Sequence, residues 1–306
     1  MPCDCFSLFE HTIQQQMAYP LALISTFAYS ISSYALNPKF FDTLVNQRNL
    51  NIVTKCFPVF LGVLALQTLH EAAHYLVAKR RGIKIGFPRP IPSPQLGLFG
   101  CITPLRSFPR DRESLLDFAL SGPVTSFVAS LACVVTGIVC TLRAPQLAIT
   151  NFPVLPAIKL KSSFLIGSLL SWMAPKIMML PLAQPIPVHP LFVVGYSGLI
   201  ASALNLLPIF RLDGGRACAA SLGPRQGSLV SISTLLFLLS ITLSGDSTGL
   251  GFLWILLVTT FQRQPEIPSR DDFTEVNKVR SRAWFISFMF AVSVLAPFPS
   301  GAPGLL

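Results

Sequence analysis

Of the 306 residues, 52% are hydrophobic and only 12% charged, and the mean hydropathy is +0.61. Soluble domains carry about 25% charged residues, so the composition excludes a soluble globular enzyme, a disordered tail, a collagen-like repeat and a small disulfide scaffold, and implies an integral membrane protein. The net charge of +10 comes from 23 Lys and Arg against only 13 Asp and Glu; without a basic stripe interleaved with aromatics it reads as membrane-surface charge, and no nucleic-acid partner is expected.

Residues 1–17 contain Asp4 and Glu10 and no arginine, and read as an N-terminal tail rather than a transit peptide. On that reading, a targeting segment for import would lie outside this chain. Apolar runs follow at Ala18–Leu36, Phe57–Ala78, Leu115–Leu142, Ser163–Leu182, Leu191–Phe210, Ser228–Ser244, Leu250–Phe261 and Trp284–Phe298. The first five approach or exceed the ~20 residues needed to cross a bilayer. The expected fold is therefore an all-α polytopic membrane protein with six to eight transmembrane helices and a short re-entrant strand or loop element. The chain divides into the tail (1–17), a first transmembrane helix and loop (18–56), a core (57–262), and a basic loop with a C-terminal hydrophobic segment (263–306). With eight spans, the basic loops at 79–112 and 263–282 fall on opposite sides of the membrane. Either a late segment fails to cross or the positive-inside bias is weak.

Two stretches predict irregular backbone at membrane depth. Residues 86–104 carry Pro88, Pro90, Pro92, Pro94 and Pro104, too many for a helix. Residues 205–216 interrupt a hydrophobic helix with Pro208 and then Gly214-Gly215. Such backbone is tolerated only where protein buries it or it lines a wet cavity. The seven cysteines are odd in number and show no CxxC spacing, so neither a disulfide framework nor a zinc knuckle is expected.

His70-Glu71-Ala72-Ala73-His74 lies within the second apolar run. Two histidines four apart share one helix face and can bind one metal, while Glu71, about 100° round the helix, remains free as a general base. Ionisable groups at membrane depth are expensive and imply function; the alternative is a polar cluster that packs helices. A hydrolytic zinc site needs three protein ligands and an open position. Between residues 114 and 262 the acids are Asp117, Asp213 and Asp246. Asp213 stands out before Gly214-Gly215, and on spacing alone it is either the third ligand or a helix N-cap. His11 and His189 are left outside the site.

These residues resemble the site-2 protease family of intramembrane zinc metalloproteases. His70-Glu71-Ala72-Ala73-His74 matches its HExxH helix, and residues 205–216, NLLPIFRLDGGR, resemble its N-x-x-P…LDGG motif. Residues 91–103 and Leu120-Ser121-Gly122-Pro123 are similar to stretches of the plant plastid and cyanobacterial branch, the ethylene-dependent gravitropism-deficient and yellow-green proteins. Phe210-Arg211 departs from the usual Pro- or Gly-containing approach to LDGG.

The resemblance implies Zn²⁺ held by His70, His74 and Asp213, with Glu71 as catalytic base. Asn205 is then either a hydrogen-bond donor to the reacting carbonyl or the cap of a broken helix. It further implies cleavage of transmembrane protein substrates within the bilayer of a chloroplast (thylakoid or envelope) membrane. The Gly97–Thr103 stretch either pairs with an unwound substrate as an added strand or is an ordinary buried loop. The rival readings are a membrane metal or solute transporter and a catalytically inactive membrane scaffold.

Overall fold

The computed structural model describes residues 4–243, 250–261 and 267–299. Nine main helices are described: α1 (Asp4–Ser32), α2 (Phe57–Arg81), α3 (Arg112–Arg143), α4 (Phe164–Met173), α5 (Pro190–Leu206), α6 (Asp213–Leu222), α7 (Pro224–Leu243), α8 (Leu250–Phe261) and α9 (Lys278–Leu295). Two small two-stranded antiparallel sheets accompany them, the hairpin of β1 (Arg89–Ser93) with β2 (Gly97–Ile102), and β3 (Val154–Pro156) paired with the sequence-distant β4 (Pro185–Pro187). Among the described residues, three helical stretches are long and apolar enough to cross a membrane: Leu50–Arg81, Arg112–Arg143 and Pro224–Leu243. Shorter apolar helices cover Met17–Ser32, Phe164–Met173, Pro190–Leu206 and Leu250–Thr260.

The core is built on α3, which packs along α5 on one side and α2 on the other. A Cβ added at Gly137 of α3 would stand 2.4 Å from the Phe192 backbone nitrogen of α5, so the missing side chain is what allows the two backbones to approach. The outward faces stay apolar, with Leu61 and Leu76 on α2, Leu236 and Phe237 on α7, and Phe285 and Ile286 on α9 all exposed. A soluble protein would not leave so continuous an apolar surface.

Three expectations change, and one question left open narrows. The stretch read as a tail is continuous with the first apolar run, because α1 begins at Asp4. The run Ser163–Leu182 is not one helix: α4 ends at Met173, and Ala174 takes a non-helical conformation before Pro175, as the clash between a proline ring and the preceding residue demands. The Pro-rich stretch 86–104 is more regular than expected. It forms the β1–β2 hairpin, in which Ile91 pairs with Gly100 and Pro92 with Leu98, leaving Phe99 as a bulged residue. Lastly, the two basic loops lie at the same end of the molecule. Arg270 N–H donates to the Pro109 carbonyl, Asp271 N–H donates to the Arg110 carbonyl, and Arg280 pairs with Glu113 and Asp117.

Candidate metal centre

Helix α2 carries Pro58 in its first turn and stops at Gly82, whose left-handed conformation closes the helix behind Lys79, Arg80 and Arg81. About three turns before that stop, His70 and His74 face the protein interior and are 3% and 1% exposed. Their Nε2 atoms lie 3.1 Å apart. Asp213 Oδ2 lies 3.3 Å from His70 Nε2 and 3.2 Å from His74 Nε2. Zinc bonded tetrahedrally at about 2.0–2.1 Å spaces its donors roughly 3.3–3.4 Å apart. Two imidazoles and a carboxylate at these separations therefore fit a zinc ion in both chemistry and spacing, and they are the three-residue metal-capable cluster among the described residues.

The outer nitrogens of both rings are fixed. His74 Nδ1 donates to the Phe118 carbonyl at 2.9 Å; a carbonyl can only accept, so Nδ1 carries the proton and Nε2 presents its lone pair. His70 Nδ1 lies 3.1 Å from Ser126 Oγ, which is itself bonded to Ser202 Oγ at 2.8 Å. Helix α3 can bring Phe118 and Ser126 this close because the residue facing the rings is glycine. A Cβ on Gly122 would stand 2.3 Å from His74 Nε2 and 2.7 Å from His70 Nε2.

Asp213 arrives by a break in the helical chain. Helix α5 ends at Leu206, and residues 207–212 are irregular before α6 starts at Asp213. Phe210 sits at φ 43°, the left-handed region that costs a non-glycine residue roughly 1–2 kcal/mol. This is where the chain departs from the Pro- or Gly-containing approach. The N-cap position belongs to Leu212 and carries no side-chain cap bond. The Asp213 carboxylate instead faces the histidines, with Arg216 Nη1 3.7 Å from its other oxygen. Arg216 is 1% exposed; it donates to the Thr103 carbonyl at 2.9 Å and lies over the Phe118 ring, tying α6 to the hairpin and to α3.

Glu71 lies beside the triad, Oε1 being 3.9 Å from His70 Nε2. Thr103 Oγ1 donates to Oε2 at 2.6 Å and Gln67 Nε2 to Oε1 at 3.2 Å. Asn205, at the end of α5, donates through Nδ2 to the Ala201 and Phe99 carbonyls. The Phe99 bulge turns that carbonyl toward it, and Gly100, at φ 129°, leaves the room: a Cβ there would stand 2.3 Å from Asn205 Nδ2. A cavity of about 20 Å³, room for a water molecule, lies between His70, Gln67, Leu98, Ser126 and Asn205.

The histidines, Asp213 and Glu71 are thus brought together, while the Asn205 amide is engaged by β2. Asp117 pairs with Arg81 and Arg280 away from the centre; Asp246 lies outside the described residues. His189 caps α5. Sequence reasoning gave no role at the centre to Gly122, Ser126, Thr103, Gln67 or Arg216, although Gly122, Thr103 and Arg216 lie in the stretches that carry the family resemblance. Gln67 and Arg216 carried a usable signal, standing one turn from Glu71 and Asp213; Ser126 and Thr103 reach the site only through tertiary contact.

A family model described as Peptidase family M50 matches residues 58–243, a span that includes every residue of this centre. The chain belongs to peptidase family M50. Among curated proteins, this M50 chain is 31% identical over 253 residues to the probable zinc metalloprotease EGY1, chloroplastic, of Oryza sativa subsp. japonica, covering 81% of this chain and 42% of that protein. It is 32% identical over 249 residues to the protein of the same description from Arabidopsis thaliana, covering 80% and 43%. Against the Arabidopsis probable zinc metalloprotease EGY2, chloroplastic, identity is 27% over 263 residues, covering 86% and 46%. The chain spans less than half the length of these relatives. No solved structure matches it.

Proposed function

We propose that the chain is a zinc-dependent intramembrane endopeptidase that hydrolyses peptide bonds within transmembrane segments of membrane-protein substrates. The observation that carries this reading is the buried His70–His74–Asp213 cluster, with a free carboxylate, Glu71, beside it, on a helix apolar enough to cross a membrane. His70, His74 and Asp213 would hold the ion. Zinc at such a site supplies Lewis acidity, acidifying water and polarising a carbonyl.

The chain's own groups supply the rest. Glu71 Oε1, the carboxylate oxygen facing the triad, takes the proton from the attacking water and passes it to the departing amine nitrogen. Thr103 and Gln67 hold that carboxylate in place. Phe118 and Ser126 fix the imidazole rings, and Arg216 balances the charge on Asp213. The Asn205 amide borders the same small cavity as His70 and is the donor we assign to the scissile carbonyl oxygen, in exchange for its bond to Phe99. Because the β1–β2 sheet has two strands, β2 keeps an edge on which an unwound substrate segment can pair, satisfying main-chain groups that lipid cannot.

For topology we propose seven crossings, within the expected six to eight: α1, α2, α3, the broken pair α5–α6, α7, α8 and α9. An even number of crossings between Arg112 and Lys278 brings the basic loops to one end, as the positive-inside rule prefers. The catalytic core is assigned to 57–262, preceded by the helix and loop at 18–56 and followed by the basic loop and last helix at 263–306. The chloroplastic relatives support placement in a chloroplast membrane, thylakoid or envelope.

The test is cleavage of a single-span substrate in proteoliposomes by wild-type and Glu71→Gln protein. The variant should keep its zinc and lose about 10²–10⁴-fold in rate. Zinc-loaded Glu71→Gln cleaving at the wild-type rate would refute the mechanism, and substrate-independent zinc flux across the vesicle would favour transport.

A further inference from the structure

A second cavity, of about 380 Å³, opens away from the metal centre between the first turns of α3 and α7, the last turns of α6 and residues 267–272. Most of its lining is apolar, including Leu115, Phe210, Ile232 and Ile267. Its polar groups converge on one end. Arg112, the first residue of α3, is 8% exposed; its Nε donates to the Ala220 carbonyl, and its guanidinium forms no other hydrogen bond among the described residues. Arg112 Nη2 lies 3.7 Å from where a Cβ on Gly223 would be, beside the N-terminus of the 20-residue helix α7. Ser269, 7% exposed, also lines the cavity, and its Oγ has no partner. Asp272 contributes a carboxylate, but its Oδ1 is engaged by the Ser269 N–H.

Arg112 is buried as a residue, yet its terminal nitrogens are not among the buried polar atoms left without a partner; they open onto the cavity and offer two donors there, while the charge of Arg112 also acts on the exposed Asp271 carboxylate. The guanidinium stands next to a helix N-terminus, whose free N–H groups and dipole favour an anion. Depth narrows the source of that anion. Arg112 and Pro224 are the first residues of two of the three membrane-length helices, so the polar end of the cavity lies at headgroup level and the apolar walls run from there along the starts of both spans.

We propose that this cavity binds an anionic phospholipid, its phosphate held by Arg112 and the first-turn amides of α7 and its upper acyl carbons lying against Leu115 and Ile232. Because Gly215 and Ala219 of α6 form part of the wall, the lipid also packs against the helix that carries Asp213.

The full chain in neutral detergent is titrated with phosphatidylglycerol, phosphatidylcholine or inorganic phosphate, following bound lipid by native mass spectrometry and apparent Tm. One retained phosphatidylglycerol per chain, bound at least tenfold more tightly than phosphatidylcholine, is the expected result. Binding of inorganic phosphate with no gain from acyl chains would assign the site to a free anion and overturn the lipid. Equal retention of both lipids would overturn the anion site itself.

Arg112→Gln should weaken phosphatidylglycerol at least tenfold. Since Arg112 also joins α3 to α6, the variant that decides is Ser228→Glu. Ser228 is an exposed residue at the start of the second turn of α7, its hydroxyl bonded to the Pro224 carbonyl, where an added carboxylate is still on the favourable side of the helix dipole but repels a phosphate. Ser228→Glu should leave the lipid-free Tm unchanged or higher and still weaken phosphatidylglycerol tenfold; wild-type affinity in this variant would overturn the proposal.

Discussion

Replacing Gly122 with alanine adds one methyl group opposite the two imidazoles. The new Cβ would stand 2.3 Å from His74 Nε2, where real Cβ contacts essentially never fall below 3.0 Å; the difference, 3.0 − 2.3, requires a displacement of about 0.7 Å. Zinc sites tolerate deviations of about 0.2 Å in ligand distance, so the shift exceeds that tolerance more than threefold. The rings cannot yield freely, because Phe118 and Ser126 on the same α3 helix hold their outer nitrogens. Overpacking of this kind costs about 1–3 kcal/mol, and loss of even 1.4 kcal/mol from the bound state is tenfold in affinity.

Zinc affinity, read by chelator competition on the detergent-solubilised chain, should therefore fall by about 5- to 150-fold. Gly137→Ala is the control. It forces a comparable clash between α3 and α5, 2.4 Å from the Phe192 nitrogen, but far from the rings, so it should lower the apparent Tm and leave zinc affinity within about twofold. Folded Gly122→Ala protein with wild-type zinc affinity would refute the geometry of the centre.

Further outcomes follow from other parts of the site and fold. Ser126→Ala removes the partner of His70 Nδ1 and should weaken zinc about 10–100-fold; chelator competition showing no change would mean that this hydrogen bond does not orient the ligand. Asp111 caps α3, accepting from the Ser114 N–H and hydroxyl at 2.7 Å, and Asp111→Ala should cost about 0.5–2 kcal/mol at neutral pH. Partial burial pushes the Asp111 carboxyl up, but the Ser114 bonds and the charges of Arg110 and Arg81 outweigh it and hold the group below the ordinary carboxylate value. Its contribution is then complete above the unfolded-state pKa and lost as pH falls through the lower folded-state value. The Tm difference between wild type and Asp111→Ala should shrink in acid; a difference that grows would reverse the sign of the shift.

Much of the centre was legible because its chemistry is local in sequence. An i, i+4 histidine pair in an apolar run needs only helix geometry to become a bidentate site, and scarce acids leave few third ligands. The N-cap alternative for Asp213 could not be settled from spacing, since both roles call for a carboxylate where a helix restarts; in the structure Leu212 holds the cap position and the Asp213 carboxylate faces the histidines. The supporting shell was not legible. Ser126, Thr103 and the Phe118 carbonyl meet α2 only after α3 and the hairpin pack, and a glycine in a helix reads as a defect until the rings it admits are known. Hydropathy overstated Ser163–Leu182 because an average over the run does not register Pro175, which breaks it. The sequence left the side of the two basic loops open, because it depends on the parity of the crossings between them, which hydropathy alone does not fix; contacts between residues 109–110 and 270–271 put them at one end.

The most direct test of the zinc centre is the zinc K-edge absorption spectrum of the purified full chain, with metal content measured on the same sample. One zinc per chain, with two imidazole nitrogens and carboxylate or water oxygens at about 2.0–2.2 Å, is the predicted result. Absence of stoichiometric zinc, or sulfur scattering at about 2.3 Å from any of the cysteines, would contradict it.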